Sequence, residues 1–107
     1  MKKNFIGRYR ITEMEQWDKD YIDMVVPGFI EIGKDGYAEF QFGVVEGGGQ
    51  YSYSKDGKYV DFDWEGSSEC DEASGEFELE INGDKMTGTI SFDDGDESGL
   101  TAIREKS

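Results

Sequence analysis

Apolar side chains alternate with polar ones along most of this chain. Between residues 38 and 44, Ala, Phe, Phe and Val take every second position, with Glu, Gln and Gly between them. A period of two indicates a strand that has one face in a core and the other in water. The pattern predicts eight strands, near residues 5–12, 30–32, 38–44, 51–54, 60–65, 76–81, 86–92 and 100–104.

Short glycine-bearing segments separate most of these strands. Asp-Gly and Asn-Gly pairs accept the positive φ angles that tight hairpins require. We therefore predict an antiparallel meander with a longer polar loop over residues 66–74, GSSECDEAS. Hairpin turns are expected at residues 34–36, 46–49, 56–57, 82–83 and 93–95.

Residues 17–27 depart from the alternation. Trp17, Tyr21 and Met24 fall on one side of a short helix, and Pro27 ends it. We expect a short helical or loop lid between strands 1 and 2. Closing an eight-stranded sheet removes its edges. The predicted fold is thus an all-β, eight-stranded antiparallel up-and-down barrel, and a curved open sheet that dimerises through an edge is the alternative.

Charge and length limit the partners. A chain of 107 residues predicts a single β-barrel domain, residues 1–107. Its 25 acidic and 11 basic residues give a net charge of −14. A field of this sign repels phosphates and anionic lipids, so we expect neither nucleic acid nor a membrane as a partner. A basic protein or a cation fits the charge, and the chain is expected to be a monomer or a homodimer.

The single cysteine and the absence of histidine exclude several kinds of chemistry. Cys70 cannot form an intrachain disulfide, and Arg8 and Arg10 interrupt the apolar run of a signal peptide, so we expect a cytoplasmic protein. Without histidine there is no Ser-His-Asp or Cys-His system. Glu69 and Asp71 disfavour the Cys70 thiolate, so this cysteine is expected to be a partly buried loop residue rather than a nucleophile.

The first and last strands contribute three candidate ligand-binding residues. If these strands close antiparallel, Arg104 lies beside Tyr9 and can stack on its ring; the alternative leaves Arg104 in solvent. Glu13 continues the face of Tyr9, where a desolvated carboxylate could bind an amine or act as a general acid. We favour a bulge at Glu13–Met14 that turns Met14 inward and both Glu13 and Glu15 outward.

Aromatic residues supply the remaining candidates. Around a barrel mouth, the rings of Trp17, Tyr21, Tyr51, Tyr53 and Trp64 would form an apolar pocket with polar tips. We favour ordinary core and lid packing for them, because the chain has few aliphatic residues. The candidate ligand-binding residues are Tyr9, Glu13, Trp17, Tyr21, Trp64 and Arg104.

Acidic residues line single faces of two predicted strands and crowd one turn. The turn at residues 93–97, DDGDE, has the oxygen ligands of a calcium site but not the spacing of a calcium loop. A solvated face that blocks edge aggregation explains the acidic strands without a ligand. We therefore expect no metal and no cofactor. The two acidic strand faces consist of Asp61, Asp63, Glu65 and of Glu76, Glu78, Glu80.

The barrel prediction is supported by a resemblance. Gly7-Arg8-Tyr9 near the start, with Arg104 in the last strand, resembles the lipocalin and fatty-acid-binding-protein superfamily. Those barrels open with Gly-x-Trp and close with an arginine packed on that ring, whereas Tyr9 stands at the tryptophan position here. The resemblance implies barrel closure more than ligand binding.

A second resemblance covers nearly the whole chain. Residues 11–23, ITEMEQWDKDYID, and 64–71, WEGSSECD, resemble an uncharacterised family of small acidic bacterial proteins, which implies no activity.

Two function classes follow from these observations. The first is a non-catalytic module that binds a small apolar or aromatic ligand in the barrel mouth, with Glu13 or Arg104 as a polar anchor. The second is an interaction module whose acidic faces bind a basic partner, with a filled barrel interior. An enzyme that uses Glu13 as an acid or base is disfavoured, because the chain has no recognisable nucleophile, metal set or phosphate loop.

Overall fold

The computed structural model describes residues 5–105 as a closed barrel of eight antiparallel strands in sequential order. Strand β1 pairs with both β2 and β8, so the open-sheet alternative is excluded. Residues 1–4, which begin the segment considered above as a signal peptide, lie outside the described residues. The strands are β1 (Gly7–Met14), β2 (Phe29–Ile32), β3 (Tyr37–Phe42), β4 (Val45–Tyr53), β5 (Tyr59–Ser68), β6 (Asp71–Asn82), β7 (Lys85–Phe92) and β8 (Glu97–Arg104).

Four of the five predicted hairpin turns are confirmed. Each joins two consecutive strands and contains a glycine with positive φ, which an L side chain rarely adopts. These glycines are Gly36, Gly57, Gly83 and Gly95, with φ of 91°, 73°, 67° and 112°.

The fifth hairpin was predicted in the wrong place. The glycine run at residues 46–49 lies inside β4, and the turn between β3 and β4 falls at Gly43, whose φ is 57°. The run is needed for close strand approach rather than for a turn. A Cβ on Gly49 would lie 1.9 Å from the carbonyl oxygen of Asp63 on β5.

The prediction of a polar loop over residues 66–74 is also wrong. Strand β5 continues to Ser68 and β6 begins at Asp71, so only Glu69 and Cys70 form the turn. Glu69 takes the positive φ, 61°, that glycine takes in the other hairpins. Cys70 is exposed rather than partly buried. None of the residues from 65 to 74 is buried, so this part of the hairpin has no alternation of apolar and polar residues. The sequence pattern therefore could not predict these strand ends.

The lid between β1 and β2 contains a short helix, α1 (Lys19–Ile22). Its N-cap is Asp18, whose carboxylate accepts a hydrogen bond from the Tyr21 amide at 3.0 Å. The helix ends at Ile22, well before Pro27. The predicted apolar side is only partly right, because Met24 is 55% exposed and Ile22 is fully buried instead.

Aromatic side chains fill the middle of the barrel. The ring of Phe77 lies 4.7 Å from that of Phe40 and 4.8 Å from that of Phe62, centroid to centroid. Phe40 also meets Trp64 edge to face at 5.0 Å. These contacts confirm that alternate inward residues supply the core, and they occupy the interior with protein side chains.

Candidate functional site

Tyr9 and Arg104 form a closure pair at the seam between β1 and β8. The two residues are paired in register, and Cζ of Arg104 lies 4.8 Å from the Tyr9 ring centroid, which confirms the predicted contact. Arg104 also donates to the carbonyl of Ile6 and pairs with Asp84 at 3.2 Å. The buried Tyr9 hydroxyl donates to the carbonyl of Phe5 at 2.8 Å, and burial raises the pKa of Tyr9.

Glu13 lies on the outside of the barrel. A bulge shifts the register of β1 against β8 between Ile11 and Glu13, so that Met14 is buried while Glu13 and Glu15 are exposed. The favoured prediction of a bulge is therefore confirmed, one residue earlier than expected. This placement leaves Glu13 in water, away from the interior where a desolvated acid would sit.

Trp64 belongs to the barrel core. Its side chain is 1% exposed, and its indole Nε1 donates to the carbonyl of Ser91 at 3.3 Å. Gly47 and Gly75 make room for the indole, since a Cβ on either would lie within about 3 Å of it. Trp64 thus packs beneath Phe92, with ring centroids 5.2 Å apart, and does not line an open pocket.

A cluster of aromatic side chains covers the lid end of the barrel. Trp17 lies at its centre, 5.0 Å from Phe42, 6.0 Å from Phe92 and 6.2 Å from Tyr21, between ring centroids. The planes of Trp17 and Tyr21 are nearly parallel, at 21°. Phe42 is fully buried, whereas Trp17, Tyr21 and Phe92 each keep part of their surface in water.

Backbone contacts fix the lid to the turn between β3 and β4. The amide of Gly43 donates to the carbonyl of Ile22 at 3.0 Å, and the amide of Val44 reaches the Tyr21 hydroxyl at 3.5 Å. The Tyr21 ring packs directly on Gly43, where a Cβ would lie 2.2 Å from a ring carbon. Any larger residue at position 43 would therefore displace the lid.

Asp23 holds the other side of the lid. It accepts hydrogen bonds from the Lys19 side chain and from the Gly28 amide, and it lies 3.5 Å from the guanidinium of Arg10. The Lys19 hydrogen bond is the main cause that lowers the pKa of Asp23. The lid is therefore anchored at both ends, and its aromatic side chains are held in place.

An open cleft lies beside this lid, which we call the aromatic–acidic cleft. It has a volume of about 1150 Å³, and Trp17, Tyr21 and Phe92 form its aromatic floor. Among the described residues, no lysine or arginine lines it. Its rim carries seven carboxylates, those of Glu65, Glu69, Asp71, Glu72, Asp93, Asp94 and Asp96.

Two hairpins bring these carboxylates together. The amide of Asp93, after β7, donates to the carbonyl of Ser74 on β6 at 2.9 Å, and the Ser74 hydroxyl donates to the Asp93 carboxylate at 2.6 Å. The amide of Glu69 donates to the carbonyl of Val44 at 3.0 Å, which holds the tip of the β5–β6 hairpin near the lid. The cleft is therefore formed by strand ends and turns that are hydrogen-bonded to one another.

The rim carboxylates do not form a metal centre. Within residues 5–105, no three or more aspartate, glutamate or cysteine side chains are placed to hold one metal ion. Calcium requires six to eight oxygens that converge on a point. The rim carboxylates therefore line the cleft without converging on one point.

Only two of the six candidate residues line the cleft. Trp17 and Tyr21 line the cleft, and Phe92, which is not one of the six candidates, lies with them. Phe92 continues the inward alternation of β7 and reaches the mouth. Tyr51 and Tyr53 pack on Phe5 beside the closure pair. The candidates outside the cleft lining are Tyr9, Glu13, Trp64 and Arg104.

Comparisons with known proteins identify no relative. No family model, no curated protein and no solved structure matches the chain. In the described part of the chain, no helix is long and apolar enough to span a bilayer. The chain can therefore be assigned to a fold, which is a closed eight-stranded antiparallel barrel with a helical lid.

Proposed function

We propose that this protein is a non-catalytic binding module that holds a basic segment of a partner protein in the aromatic–acidic cleft. The observation that carries the proposal is the lining of that cleft, an aromatic floor within a rim of seven carboxylates and no basic side chain among the described residues. Such a lining is complementary to a side chain that has an apolar stem and a positive end.

The charge distribution supports a basic partner. The ion pairs found within residues 5–105 do not involve any rim carboxylate, so the charge of the rim is not neutralised from within. The net charge of −14 adds a long-range field that attracts a basic surface. Because exposed charges are screened over about 10 Å at 0.1 M salt, binding should weaken steeply as salt is added.

A small uncharged aromatic ligand is the second candidate, favoured by the exposed parts of Trp17, Tyr21 and Phe92. A lipocalin-like ligand inside the barrel is disfavoured, because Phe40, Phe77 and their neighbours occupy the interior. We also propose a cytoplasmic location, where the exposed thiol of Cys70 would stay reduced.

The proposal is tested by NMR titration of the 15N-labelled protein at low salt. The probe is a lysine hexapeptide, with a glutamate hexapeptide and indole as comparisons. We expect the lysine peptide to shift amide signals around the cleft and the glutamate peptide to shift none. Binding of indole alone would favour the second candidate, and no response to the lysine peptide would contradict a basic partner.

Two double variants with the same change in charge locate the binding surface. Asp71→Asn/Asp94→Asn removes two rim charges, and Asp61→Asn/Glu78→Gln removes a cross-strand pair on the outer face of β5 and β6. We expect the first variant to weaken binding of the lysine peptide about five-fold, because two screened charge contacts are lost. The second variant should change this affinity less than about two-fold. The reverse order would place the binding surface on the barrel wall.

A further inference from the structure

We infer that the aromatic–acidic cleft selects arginine side chains over lysine side chains. This inference rests on the proposed function and names the chemistry that the same cleft recognises. Trp17 and Tyr21 present nearly parallel rings 6.2 Å apart on the cleft floor, with Phe92 beside them. A planar guanidinium stacks on such faces, and tryptophan is the best of the aromatic partners for a cation.

The same protein already uses this combination of groups elsewhere. The guanidinium of Arg8 lies 3.8 Å from the ring centroid of Phe29 and pairs with the Glu31 carboxylate at 3.0 Å. A ring below the guanidinium and a carboxylate at its edge satisfy its face and its donors at once. The cleft offers both, since carboxylates surround the aromatic floor.

Lysine gains less from a cleft of this shape. Its ammonium is compact and strongly hydrated, and the cleft is open, so the charge keeps most of its water and gains mainly screened attraction from the rim. A guanidinium is more weakly hydrated and loses little when one face is covered. The preference for arginine therefore comes from the aromatic floor. The rim carboxylates provide affinity for any cation.

The experiment compares two hexapeptides of equal charge, one of arginine and one of lysine, by calorimetry on the whole chain at low salt. We expect the arginine peptide to bind about five-fold more tightly. In Trp17→Leu we expect the ratio to fall below about two-fold, while the lysine affinity stays nearly constant. Phe92→Leu serves as the second floor variant if Trp17→Leu does not fold, which circular dichroism shows.

Tyr59→Leu is the matched control, because Tyr59 is 53% exposed on β5 and lies outside the cleft. It should leave the ratio unchanged. Equal affinities of the two peptides, with NMR shifts at the cleft, would overturn the arginine inference and leave the proposed function intact. A ratio lowered by Tyr59→Leu but not by the floor variants would also overturn it. Binding of neither peptide would overturn both proposals.

Discussion

Arg104 lies over the ring of Tyr9, with Cζ 4.8 Å from the ring centroid, at the seam where β8 meets β1. The same guanidinium bonds the carbonyl of Ile6 and the carboxylate of Asp84. One side chain of β8 therefore holds the segment before β1, the turn between β6 and β7 and a core ring together. Gly7 has a φ of 148°, and a Cβ there would lie 2.6 Å from this guanidinium, so both the backbone and the arginine favour glycine at this position.

The closure pair should be energetically coupled. Arg104→Met removes the charged hydrogen bonds and is expected to lower the free energy of unfolding by about 2 kcal/mol. In a double-mutant cycle with Tyr9→Leu, we expect a coupling of about 1 kcal/mol, because the guanidinium is mostly buried against the ring. Urea unfolding of the four proteins measures both quantities.

The pair formed by Arg8 and Phe29 provides the control cycle. Arg8 is 44% exposed, so Arg8→Met and Phe29→Leu should couple by about 0.5 kcal/mol, roughly half the coupling of the closure pair. Equal coupling in the two cycles would show that burial of the closure pair contributes nothing.

Gly75 on β6 should not tolerate a side chain. A Cβ there would lie 1.8 Å from the carbonyl oxygen of Ser91 and 2.9 Å from the indole nitrogen of Trp64. Gly75→Ala must separate β6 from β7 or displace the indole, and we expect a loss of about 3 kcal/mol in thermal or urea unfolding. Gly99→Ala is the control, because the nearest atom to its added Cβ is 3.8 Å away and alanine costs less backbone entropy than glycine in a strand, so we expect no loss. Similar losses in the two variants would show that overlap with Ser91 and Trp64 does not set the cost.

Much of the fold was predictable because the barrel has one dry face and one wet face. Alternation identified the strands, and Asp-Gly and Asn-Gly pairs identified four turns. The two errors have a common cause. The glycines at residues 46–49 are needed where strands approach closely, and the tip of the β5–β6 hairpin is polar on both faces. Neither situation leaves a period of two in the sequence.

The candidate site was less predictable, because it depends on which turns meet at one end of the barrel. Trp17 and Tyr21 were selected because they are aromatic residues of the predicted lid that could surround a barrel mouth. Phe92 and the rim carboxylates come from other hairpins, and only the closure and stagger of the barrel place them beside the lid. Tyr9 and Arg104 were correctly paired, but at the seam and not in the cleft.

Glu69 holds an unfavourable backbone conformation at the rim of the cleft. Its φ of 61° costs an L residue about 1 kcal/mol, and asparagine tolerates this region better. Glu69→Asn should therefore raise the free energy of unfolding by about 0.5 kcal/mol. Asp71→Asn removes the same charge without changing a positive φ, so urea unfolding of both variants separates backbone strain from charge. An equal rise in the free energy of unfolding in the two variants would show that the loss of charge alone causes it.

The outer face of β5 and β6 should make stability depend on pH. Asp63 lies directly opposite Glu76, and Asp61 lies opposite Glu78. Desolvation, followed by repulsion from Glu78, Asp63 and Asp61, raises the pKa of Glu76 above its ordinary 4.5. The folded chain therefore binds this proton more tightly than the unfolded chain. The resulting stability is fully present below the unfolded pKa and is lost as the pH rises through the folded pKa.

Urea midpoints measured between pH 7 and about pH 5 test this dependence, since Asp23, whose pKa is lowered, acts in the opposite direction only below about 3.8. We expect the midpoint of the original chain to rise as the pH falls through this window. Glu76→Gln should raise the midpoint at pH 7 and flatten the rise. Glu80→Gln removes the same charge opposite Tyr59, which carries no carboxylate, and should keep more of the slope of midpoint against pH. Identical slopes in the two variants would show that net charge, rather than the cross-strand carboxylates, controls the effect.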